Sequence, residues 1–558
     1  MMYRLSRTIV VLFLGIGLLS ACNGIPGHAR YIPNDAVAVA GINLRALSKK
    51  IAWNVITGSK LFKEMQARIP EKNTKDAMNS IEKSGIDFSN TLYVYIKTDN
   101  RLNGNSRVTG LVPLADAGQW EAYVKQVFPQ VEIKQLSDRK EARLGSDMYV
   151  GWTKNLMIII NTMSVSANNA DDQSGSSAKL NVSSTMGNTD VSAEMANAFS
   201  VTKENSIIDN KHFKGLELEG HDVTFWLNYD KLMSQYMGGN MAEKMGVTLS
   251  NTLWKDAAFT SGFDFRKGKI TGDMHYYMSA EMKDAGTELG AKNVDKDMVE
   301  RLPSRDMDMI MALHISPKGI KALLDKTGLL GLANVGLSTQ GMNVDSVLDA
   351  FTGDMAIVMN DFGLHTETIT DSFMGQAVIH QNQKPSGSLS YVLKINKKEN
   401  FEKLFQLAKD NGIQQMGSGY IVPIDDKDSV YIMRSGEYAI ASNKFANANG
   451  FLQGSFKVQK MPEPAASEIL GHPWAIYFDM QQFLKNIDAG ISHSAHDSAM
   501  ISESKKLLNN ISFTGGTFKE NAFEYHLDIN FMNTEENSII ELMDFGMKMN
   551  DADNIASK

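Results

Sequence analysis

The sequence predicts an α+β fold made of two duplicated halves, each with mainly antiparallel sheets covered by helices. The first observation is that strands arrive in hairpins, as where Thr153–Asn155 turns between the apolar runs 147–152 and 156–160. Strands joined by so short a turn run antiparallel, whereas a parallel pair needs a long crossover. A doubly wound parallel sheet is the alternative, and the hairpin turns count against it.

The second observation is that the sequence repeats. Tyr31–Leu44 places a proline ahead of an apolar strand, and Arg301–Leu313 does so again. A repeat at a long, slowly drifting offset is expected for a duplicated unit with loop insertions. The matched positions are Pro33 with Pro303 (303 minus 33, or 270), Trp120 with Phe401 (281), Tyr149 with Tyr431 (282), His221 with His472 (251) and Phe259 with Phe513 (254).

These matches and the composition predict the order of modules. The segment 163–200 is rich in Ser, Asn and Asp. Its part Ser164–Asp190 buries too little apolar surface to offset its ordering entropy, so we expect a disordered linker there, with helix resuming from Val191 to Val201. The expected modules are a signal peptide (1–21), a flexible tether (22–30), the front (31–162) and rear (201–285) modules of the first copy, and the front (300–450) and rear (465–540) modules of the second.

The start of the chain predicts export and lipid attachment. Arg4 and Arg7 precede the apolar run Ile9–Leu19, which is typical of a secretory signal and short for a membrane span. Leu19-Ser-Ala-Cys22 resembles the lipobox of bacterial lipoproteins, which implies cleavage before Cys22 and lipid on its sulfur. Cys22 is the only cysteine, so no disulfide is expected in an oxidising compartment. An uncleaved anchor with a buried Cys22 is the alternative.

Composition limits the class of partner. The 558 residues are 43% apolar and 22% charged, which is typical of a globular chain with several cores. The net charge is -8 and there is no run of basic residues, so we expect no binding to nucleic acid.

Two motifs carry a resemblance to a family. Tyr31-Ile-Pro-Asn-Asp-Ala-Val-Ala-Val39 and Gly85-Ile-Asp-Phe-Ser-Asn90, together with the lipobox, resemble the DUF4836 family of lipoproteins, common in Bacteroidetes. The resemblance implies no particular activity. In that group, export to the cell surface is associated with acidic residues soon after the lipidated cysteine. Asn23–Arg30 contains none, which implies an outer-membrane lipoprotein that faces the periplasm.

The strongest metal-ligand pattern is Ser492-His-Ser-Ala-His-Asp497. His493, His496 and Asp497 could bind zinc if the segment were helical. The glutamate of the zinc-protease motif is missing, and the glycine and serines nearby favour a solvated loop. We therefore expect neither a metal nor a cofactor.

Other candidate residues are better explained by structure than by chemistry. His221 and His472 occupy matched positions before a strand, Gly353-Asp354 suits a turn into the strand 355–359, and Asp425–Asp428 suits a hairpin turn. Met307, Met309 and Met311 alternate along one strand, where core filling explains them better than copper does. The remaining candidates, which could stack on a sugar but are expected to pack in the core, are Trp120, Trp152, Trp226 and Trp474.

The sequence favours a non-catalytic binding or scaffolding protein. It contains no nucleophile elbow, no phosphate-binding loop and no pair of cysteines, and it assigns no catalytic residue. The expected partners are the membrane, through lipidated Cys22, and an envelope protein or glycan. An envelope hydrolase that acts on glycan or peptide is the alternative.

Overall fold

The computed structural model describes residues 24–51, 55, 58, 81–98, 105–144, 148–167, 180–184, 191–237, 254–373, 376–409, 414–416, 419–424, 429–490 and 495–556. The chain forms two compact units. The first comprises Met1–Gly239 with Thr260–Phe263, and the second comprises Asn240–Phe259 with Asp264–Lys558.

The first unit is built on an antiparallel sheet. Its strands are β1 (Ala38–Asn43), β2 (Thr91–Thr98), β3 (Asn105–Pro113), β4 (Ile133–Gln135), β5 (Lys140–Leu144), β6 (Met148–Trp152), β7 (Leu156–Ala167), β8 (Leu180–Ser184), β9 (Val223–Asn228) and the residues 260–263 of β10 (Ala258–Arg266). β1 pairs with β2 on one side and with β9 on the other, and β10 pairs with β9. From β2 the pairing continues through β3, β7, β6 and β5 to β4, while β7 also pairs with β8.

Helices of the first unit begin and end at residues that suit those positions. They are α1 (Leu44–Lys50), α2 (Ala117–Val127), α3 (Val191–Phe199), α4 (Lys211–Glu219) and α5 (Tyr229–Met237), with 3-10 turns at Gly27–Tyr31, Ile81–Lys83, Lys203–Asn205 and Ile207–Asp209. Asp116, expected as an N-cap, accepts hydrogen bonds from the backbone N–H groups of Gly118 and Gln119. Gly220 ends α4 with a φ of 78°, a left-handed conformation that glycine adopts without strain.

Both faces of this sheet are buried. Leu111 on β3 lies in a cluster with Phe213 and Trp226, and the next residue, Val112, lies in a separate cluster with Trp120. Successive side chains of a strand point to opposite faces, so the two clusters cover the two sides. Coverage of a single face, expected for an antiparallel sheet, is corrected here because consecutive residues of β3 are both large and apolar.

The second unit is also built on an antiparallel sheet. Its strands are β11 (Lys269–Tyr277), β12 (Met307–His314), β13 (Phe351–Phe373), β14 (Gln376–Ile395), β15 (Gln414–Met416), β16 (Gly419–Pro423), β17 (Ser429–Ser435), β18 (Tyr438–Ser442), β19 (Trp474–Asp479), β20 (Leu508–Lys519) and β21 (Ala522–Phe531). β12 pairs with β13 and with β19. From β13 the pairing continues through β14, β18, β17 and β16 to β15, and from β19 through β20 and β21 to β11. The predicted α+β class with antiparallel pairing is confirmed.

Helices of the second unit carry recognisable caps. They are α6 (Lys283–Leu289), α7 (Lys296–Glu300), α8 (Pro317–Lys326), α9 (Leu329–Ser338), α10 (Val344–Leu348), α11 (Lys398–Lys409), α12 (Phe445–Gln453), α13 (Ala465–Ile469), α14 (Met480–Gly490), α15 (Ala495–Leu507) and α16 (Ser538–Ala556), with 3-10 turns at Ala280–Met282 and Ser455–Gln459. Ser316 caps α8, and Pro317 follows it at the first helical position. Asn343 and Ser346 form a reciprocal capping box at α10.

Two apolar clusters form the core of the second unit. The larger contains Ile310, Phe451 and Tyr477, and the smaller contains Ile395 and Phe401. Ile310 and Phe451 are fully buried. Burial of side chains of this size stabilises a fold by about 1.5–3 kcal/mol each.

Strand pairing follows the same order in each unit. In the first unit Leu111 of β3 pairs with Ile158 of β7, and in the second unit Val392 of β14 pairs with Ile440 of β18. The numbers differ by 281 (392 minus 111) and 282 (440 minus 158). The same two offsets separate Trp120 from Phe401 and Tyr149 from Tyr431 in the sequence.

The disorder expected within the linker 163–200 is wrong for its described strands, because residues 163–167 continue β7 and pair with 180–184 of β8. The helix expected from Val191 to Val201 is present as α3, at 191–199. Val191, Met195 and Ala198 lie three or four positions apart and are buried, so this helix has an apolar face in spite of its polar neighbours. Residues 168–179 and 185–190 lie outside the described residues.

The expected rear module of the first copy, 201–285, is divided between the units. β11 belongs to the second unit. Its nine residues pair in continuous register with β21, from Lys269 opposite Asn530 to Tyr277 opposite Ala522. This ladder places β11 with the later strands of the chain.

The segment expected as a flexible tether, 22–30, is packed from Gly27 onward. Gly27–Tyr31 forms a 3-10 turn, and Ala29 inside it is fully buried. The ring of His28 lies 5.4 Å from that of Tyr93, and its Nε2 is 2.6 Å from the carbonyl oxygen of Thr91. An apolar residue and an aromatic contact thus hold a stretch whose glycine and proline favour a free chain.

Candidate functional site

The junction between β1 and α1 is held by Asn43. Its Oδ1 accepts a hydrogen bond from the backbone N–H of Ala46 at 3.0 Å and so caps α1. Its Nδ2 donates to the carbonyl oxygen of His221 at 3.4 Å, and its backbone N–H donates to that of Asp222 at 2.8 Å. One side chain therefore fixes the start of α1 against the residues that lead into β9.

An ion pair fixes the other end of α1. Lys50 donates to the carboxylate of Asp222, which is 1% exposed. A buried carboxylate without its cation is strongly destabilising, so this pair holds the helix in place. α1 is seven residues long, and the contacts of Asn43 and Lys50 hold it at both ends.

A cleft of about 350 Å³ lies beside α1. Its lining comes from the start of the described chain, the β1–α1 junction, the residues that begin β2, and the segment from α4 into β9. The lining residues are Gly24, Pro26, Gly41, Asn43, Arg45, Ala46, Lys49, Ser89, Asn90, Thr91, Glu217, Gly220, His221 and Thr224.

Glu217 supplies the one carboxyl group among the described lining residues. The hydroxyl of Tyr93 donates to its Oε2, and the hydroxyl of Thr224 donates to its Oε1 at 2.8 Å. Burial raises the pKa of Glu217, and the two hydrogen bonds oppose that change. Burial and the neighbouring Glu217 also raise the pKa of Tyr93. This carboxyl is thus held in a fixed orientation at the wall of the cleft.

Gly41 makes room for this arrangement. A Cβ at this position would lie within contact distance of Thr224 Oγ1, 3.1 Å from Tyr93 Cε1 and 3.4 Å from Glu217 Oε1. Real side chains do not fit at such distances without displacing a neighbour. Glycine on β1 therefore allows the carboxyl and its two donors to meet.

Two cations line the cleft from α1. Arg45 and Lys49 are four residues apart, so they lie on the same side of the helix. Arg45 Nε donates to the carbonyl oxygen of Ser89 at 2.8 Å, and both side chains are exposed. Hydrogen bonds from Ser89 and the charge of Arg45 lower the pKa of Asp87, against the effect of burial. No direct ion pair of either cation with a carboxylate is present among the described residues, so a bound anion can still approach both.

The chemistry of this lining suits recognition. Hydrolysis of a glycosidic bond ordinarily uses two carboxyl groups, and the described lining contains Glu217 alone. The imidazole of His221 lies 2.9 Å from Glu219 Oε2 through Nε2, and its ring packs where a Cβ on Gly262 would lie. His221 is thus confined by its packing, which agrees with its predicted role as a residue that precedes a strand.

The predicted lipid and metal sites lie partly outside the described residues. Cys22 and His493 are not described, so the lipidation site and the zinc triad stay predictions. His496 and Asp497 lie in the first turn of α15. Within the described part of the chain, no group of three His, Cys, Asp or Glu residues is placed to bind a metal ion. No helix in that part combines the length and the apolar character needed to cross a membrane.

Asp354 has a structural role, but the expected turn at Gly353-Asp354 is wrong, because both residues lie within β13, which begins at Phe351. It is buried, its Oδ1 lies 2.9 Å from His314 Nδ1, and its Oδ2 accepts a hydrogen bond from Thr352 Oγ1 at 2.8 Å. The backbone N–H of Asp295 donates to Oδ1 at 3.0 Å. These bonds tie the end of β12 to the start of β13. The other proposed turn, 425–428, lies outside the described residues.

The aromatic and sulfur-containing candidates pack as expected. Trp120, Trp152 and Trp226 are at most 7% exposed and belong to the apolar clusters of the first unit. Trp474 is half-buried and packs edge-on against Phe513 with ring centroids 4.8 Å apart. Met307 lies in the main cluster of the second unit, and Met309 and Met311 are partly buried on the same strand.

Sequence reasoning missed the residues that make the cleft. Tyr93 and Glu217 are 124 positions apart, and no local motif marks either of them. Arg45 and Lys49 read as ordinary surface residues of a short helix. The one available signal was Gly41, a glycine inside a strand pattern, which often marks close approach of another group.

Three comparisons with known proteins give one family. None of the curated proteins compared matches the chain. Among solved structures, crystal form I of TP0453 is 8% identical and covers 48% of this chain and 80% of its own, with a TM-score of 0.24. Crystal form IV of TP0453 is 10% identical and covers 45% of this chain and 79% of its own, also with a TM-score of 0.24.

The family model described as a domain of unknown function, DUF4836, matches residues 29–411. The match begins at the buried residue Ala29 and includes both motifs on which the resemblance was based. The chain belongs to the DUF4836 family.

Proposed function

We propose that this protein is a lipid-anchored, non-catalytic binding module of the bacterial envelope, held through Cys22 in the outer membrane and facing the periplasm. The anchor is supported by the predicted signal peptide, with Arg4 and Arg7 ahead of the apolar run Ile9–Leu19, and by the sequence Leu19-Ser-Ala-Cys22. The absence of acidic residues over Asn23–Arg30 supports the periplasmic face.

One observation carries the binding role, namely the polar cleft of the first unit. Its lining holds a fixed carboxyl, Glu217, and two cations, Arg45 and Lys49, that form no direct ion pair within the described residues. A concave site with a few convergent polar groups is the usual form of a ligand site. Cleft residues come from four separate segments of the chain, so the fold itself brings these groups together.

The proposal includes an internal duplication. Its support is that order and register of pairing recur in each unit: Gly41 pairs with Thr224, and Ala312 pairs with Ala475. The partners on β9 and β19 differ by 251 positions (475 minus 224), as do His221 and His472. The second copy has Ala312 and Ala475 where the cleft has its glycine and threonine, so the proposed site belongs to the first copy.

Two measurements test the proposal. Intact-mass analysis of the protein from native membranes should show a chain that begins at lipid-modified Cys22; an unmodified chain that begins at Met1 would overturn the anchor. Native mass spectrometry of the same preparation should show a co-purified molecule that the double variant Arg45→Gln/Lys49→Gln lacks. The matched control is Lys134→Gln/Lys154→Gln, which removes the same charge from two exposed lysines elsewhere in the first unit. A molecule retained equally by both variants would overturn the role of the cleft.

An envelope hydrolase is the second candidate, and Glu217 is the observation that favours it. A carboxyl group in a cleft with a raised pKa is a common feature of acid catalysts. Glu217→Gln separates the two functions. Loss of turnover of a glycan or peptide with retained binding would favour the hydrolase, whereas altered binding without any turnover by the wild type would favour the binding module.

A further inference from the structure

The cleft lies next to the residue that we propose to be lipidated. Gly24 and Pro26 line it, and Cys22 precedes Gly24 by two positions. Two residues of fully extended chain span at most about 7 Å. If Cys22 is embedded at the membrane surface, Gly24 must lie within that distance of the lipid headgroups.

The chain has little slack to move the cleft away from the membrane. Gly27–Tyr31 is wound into a 3-10 turn. His28 contacts Thr91, which itself lines the cleft, and Ala29 is fully buried. The lining residues Gly24 and Pro26 are thus followed directly by a packed turn and lie within four positions of Cys22, so a ligand presented by the membrane needs no long tether to reach the cleft.

The positive charges on the α1 side of the cleft favour the binding of an anion there. Arg45 and Lys49 present a planar guanidinium and a point charge, and both groups are common in phosphate sites. The Nε bond to Ser89 holds the arginine fork in place. The nearby carboxylate of Asp87 accepts hydrogen bonds from the backbone N–H and the hydroxyl of Ser89 at 2.9 and 2.6 Å and also interacts electrostatically with Arg45. A bound phosphate would therefore share the guanidinium with this carboxylate, while Lys49 supplies a second positive charge.

Neutral polar groups and Glu217 complete the lining. Asn90 and Thr91 add amide and hydroxyl groups beside the two cations. Glu217 can accept a hydrogen bond from a hydroxyl or ammonium group on the far side of a phosphate. A volume of about 350 Å³ lies at the lower end of the range of roughly 300–1,000 Å³ that is usual for small-molecule sites, which suits a group of the size of a lipid headgroup.

We propose that the cleft binds the phosphate group of a phospholipid in the membrane that carries the lipid anchor. This inference rests on the proposed lipidation of Cys22. Basic pockets near a membrane surface bind lipid headgroups in the same way. A soluble phosphate ester would offer the same chemistry, so the test must separate the two sources.

The test uses the mature chain from Asn23, which lacks the lipid and contains every described residue. Sedimentation with vesicles of phosphatidylcholine, with and without phosphatidylglycerol, measures headgroup binding. The full sequence has a net charge of -8, and the chain from Asn23 lacks Arg4 and Arg7, which makes its net charge -10 (-8 minus 2). Non-specific attraction to anionic vesicles is therefore unfavourable. We expect binding to phosphatidylglycerol vesicles that weakens roughly thirtyfold in Arg45→Gln/Lys49→Gln, since each basic group near a membrane surface changes affinity by about fivefold.

Matched and competing arms decide the outcome. Lys134→Gln/Lys154→Gln has the same net charge as the cleft variant and should bind vesicles as the wild type does. Equal binding by both double variants, or no binding by the wild type, would overturn the inference. Glycerol 3-phosphate, titrated without vesicles, should bind much more weakly than the vesicles; equal affinity would assign the cleft to a soluble ester and also overturn it. If Cys22 is lipid-modified but the wild-type protein does not bind vesicles, the proposed anchor is retained and only the proposed phospholipid ligand is overturned.

Discussion

Gly41→Ala tests the geometry of the cleft most sharply. The added methyl group would meet Thr224 Oγ1 and would lie 3.1 Å from the ring of Tyr93. Thr224 and Tyr93 are the two donors to Glu217. The substitution therefore pushes on both hydrogen bonds that orient the carboxyl, while leaving the charge of the protein unchanged.

The size of the effect follows from two contributions. An extra methyl group in a well-packed site costs about 1–3 kcal/mol. Disturbing a hydrogen bond to a charged group costs about 1.5–3 kcal/mol. The two are not independent, because movement of Thr224 relieves the overlap by giving up the bond. We expect a loss of about 2–4 kcal/mol in the free energy of unfolding.

The assay is urea unfolding followed by far-UV circular dichroism, with Gly110→Ala as the matched control. Gly110 lies on β3 of the same sheet, and a Cβ there would be 3.7 Å from Ile159 Cβ, an ordinary contact. Alanine in a strand interior is favoured over glycine by about 0.5–1 kcal/mol, so the control should match or exceed the wild type. If Gly41→Ala and Gly110→Ala have the same unfolding midpoint, the close approach described at Gly41 is wrong.

Three further predictions concern the second unit. Burial raises the pKa of Asp308 to about 6, above the value of about 3.9 expected in the unfolded chain. Its stabilising contribution is therefore complete below about pH 4 and is lost as the pH rises through 6. Asp308→Asn should narrow the difference between the urea unfolding midpoints at pH 5 and pH 8, and an unchanged difference would contradict this. The hydrogen bond with Asp528, together with that to Asp273, raises the pKa of His526 to about 9. The stabilisation of the fold by this histidine is therefore complete below about pH 6.5 and is lost as the pH rises through 9. An NMR titration should give His526 a midpoint near pH 9, and a midpoint near 6.5 would refute the pairing with the two aspartates. Phe451 is fully buried against Tyr438 with ring centroids 5.5 Å apart, so Phe451→Ala should cost about 3–5 kcal/mol in urea unfolding; Val458→Ala, at a residue 88% exposed, should stay within about 0.5 kcal/mol of the wild type.

Much of the fold follows from local patterns. Apolar runs bounded by prolines and short polar turns predict strands such as β1 and β12, because these patterns depend on neighbours in sequence. The repeat offsets predict the corresponding pairs of strands for the same reason. The pairing of 163–167 with 180–184 does not follow from local pattern, because both segments lie in a part of the sequence that is rich in Ser and Asn.

The candidate site depends almost wholly on distant contacts. Glu217 is an ordinary acidic residue of α4 until the hydroxyl groups of Tyr93 and Thr224 are placed beside it. Lys50 forms an ion pair with Asp222, which lies 172 positions further along the chain. A single sequence carries no local signal for such pairs, so the cleft could be recognised only from the folded chain.

Site-specific photo-crosslinking in the native envelope tests the central claim most directly. A photoreactive residue at position 46 lies on the wall of the cleft and replaces neither cation, and one at position 154 lies on an exposed turn of the same unit. We expect a covalent adduct at position 46 that is absent at 154 and that disappears with Gly41→Ala. Equal labelling at the two positions, or labelling at 46 that survives Gly41→Ala, would contradict the claim that this cleft is the binding site.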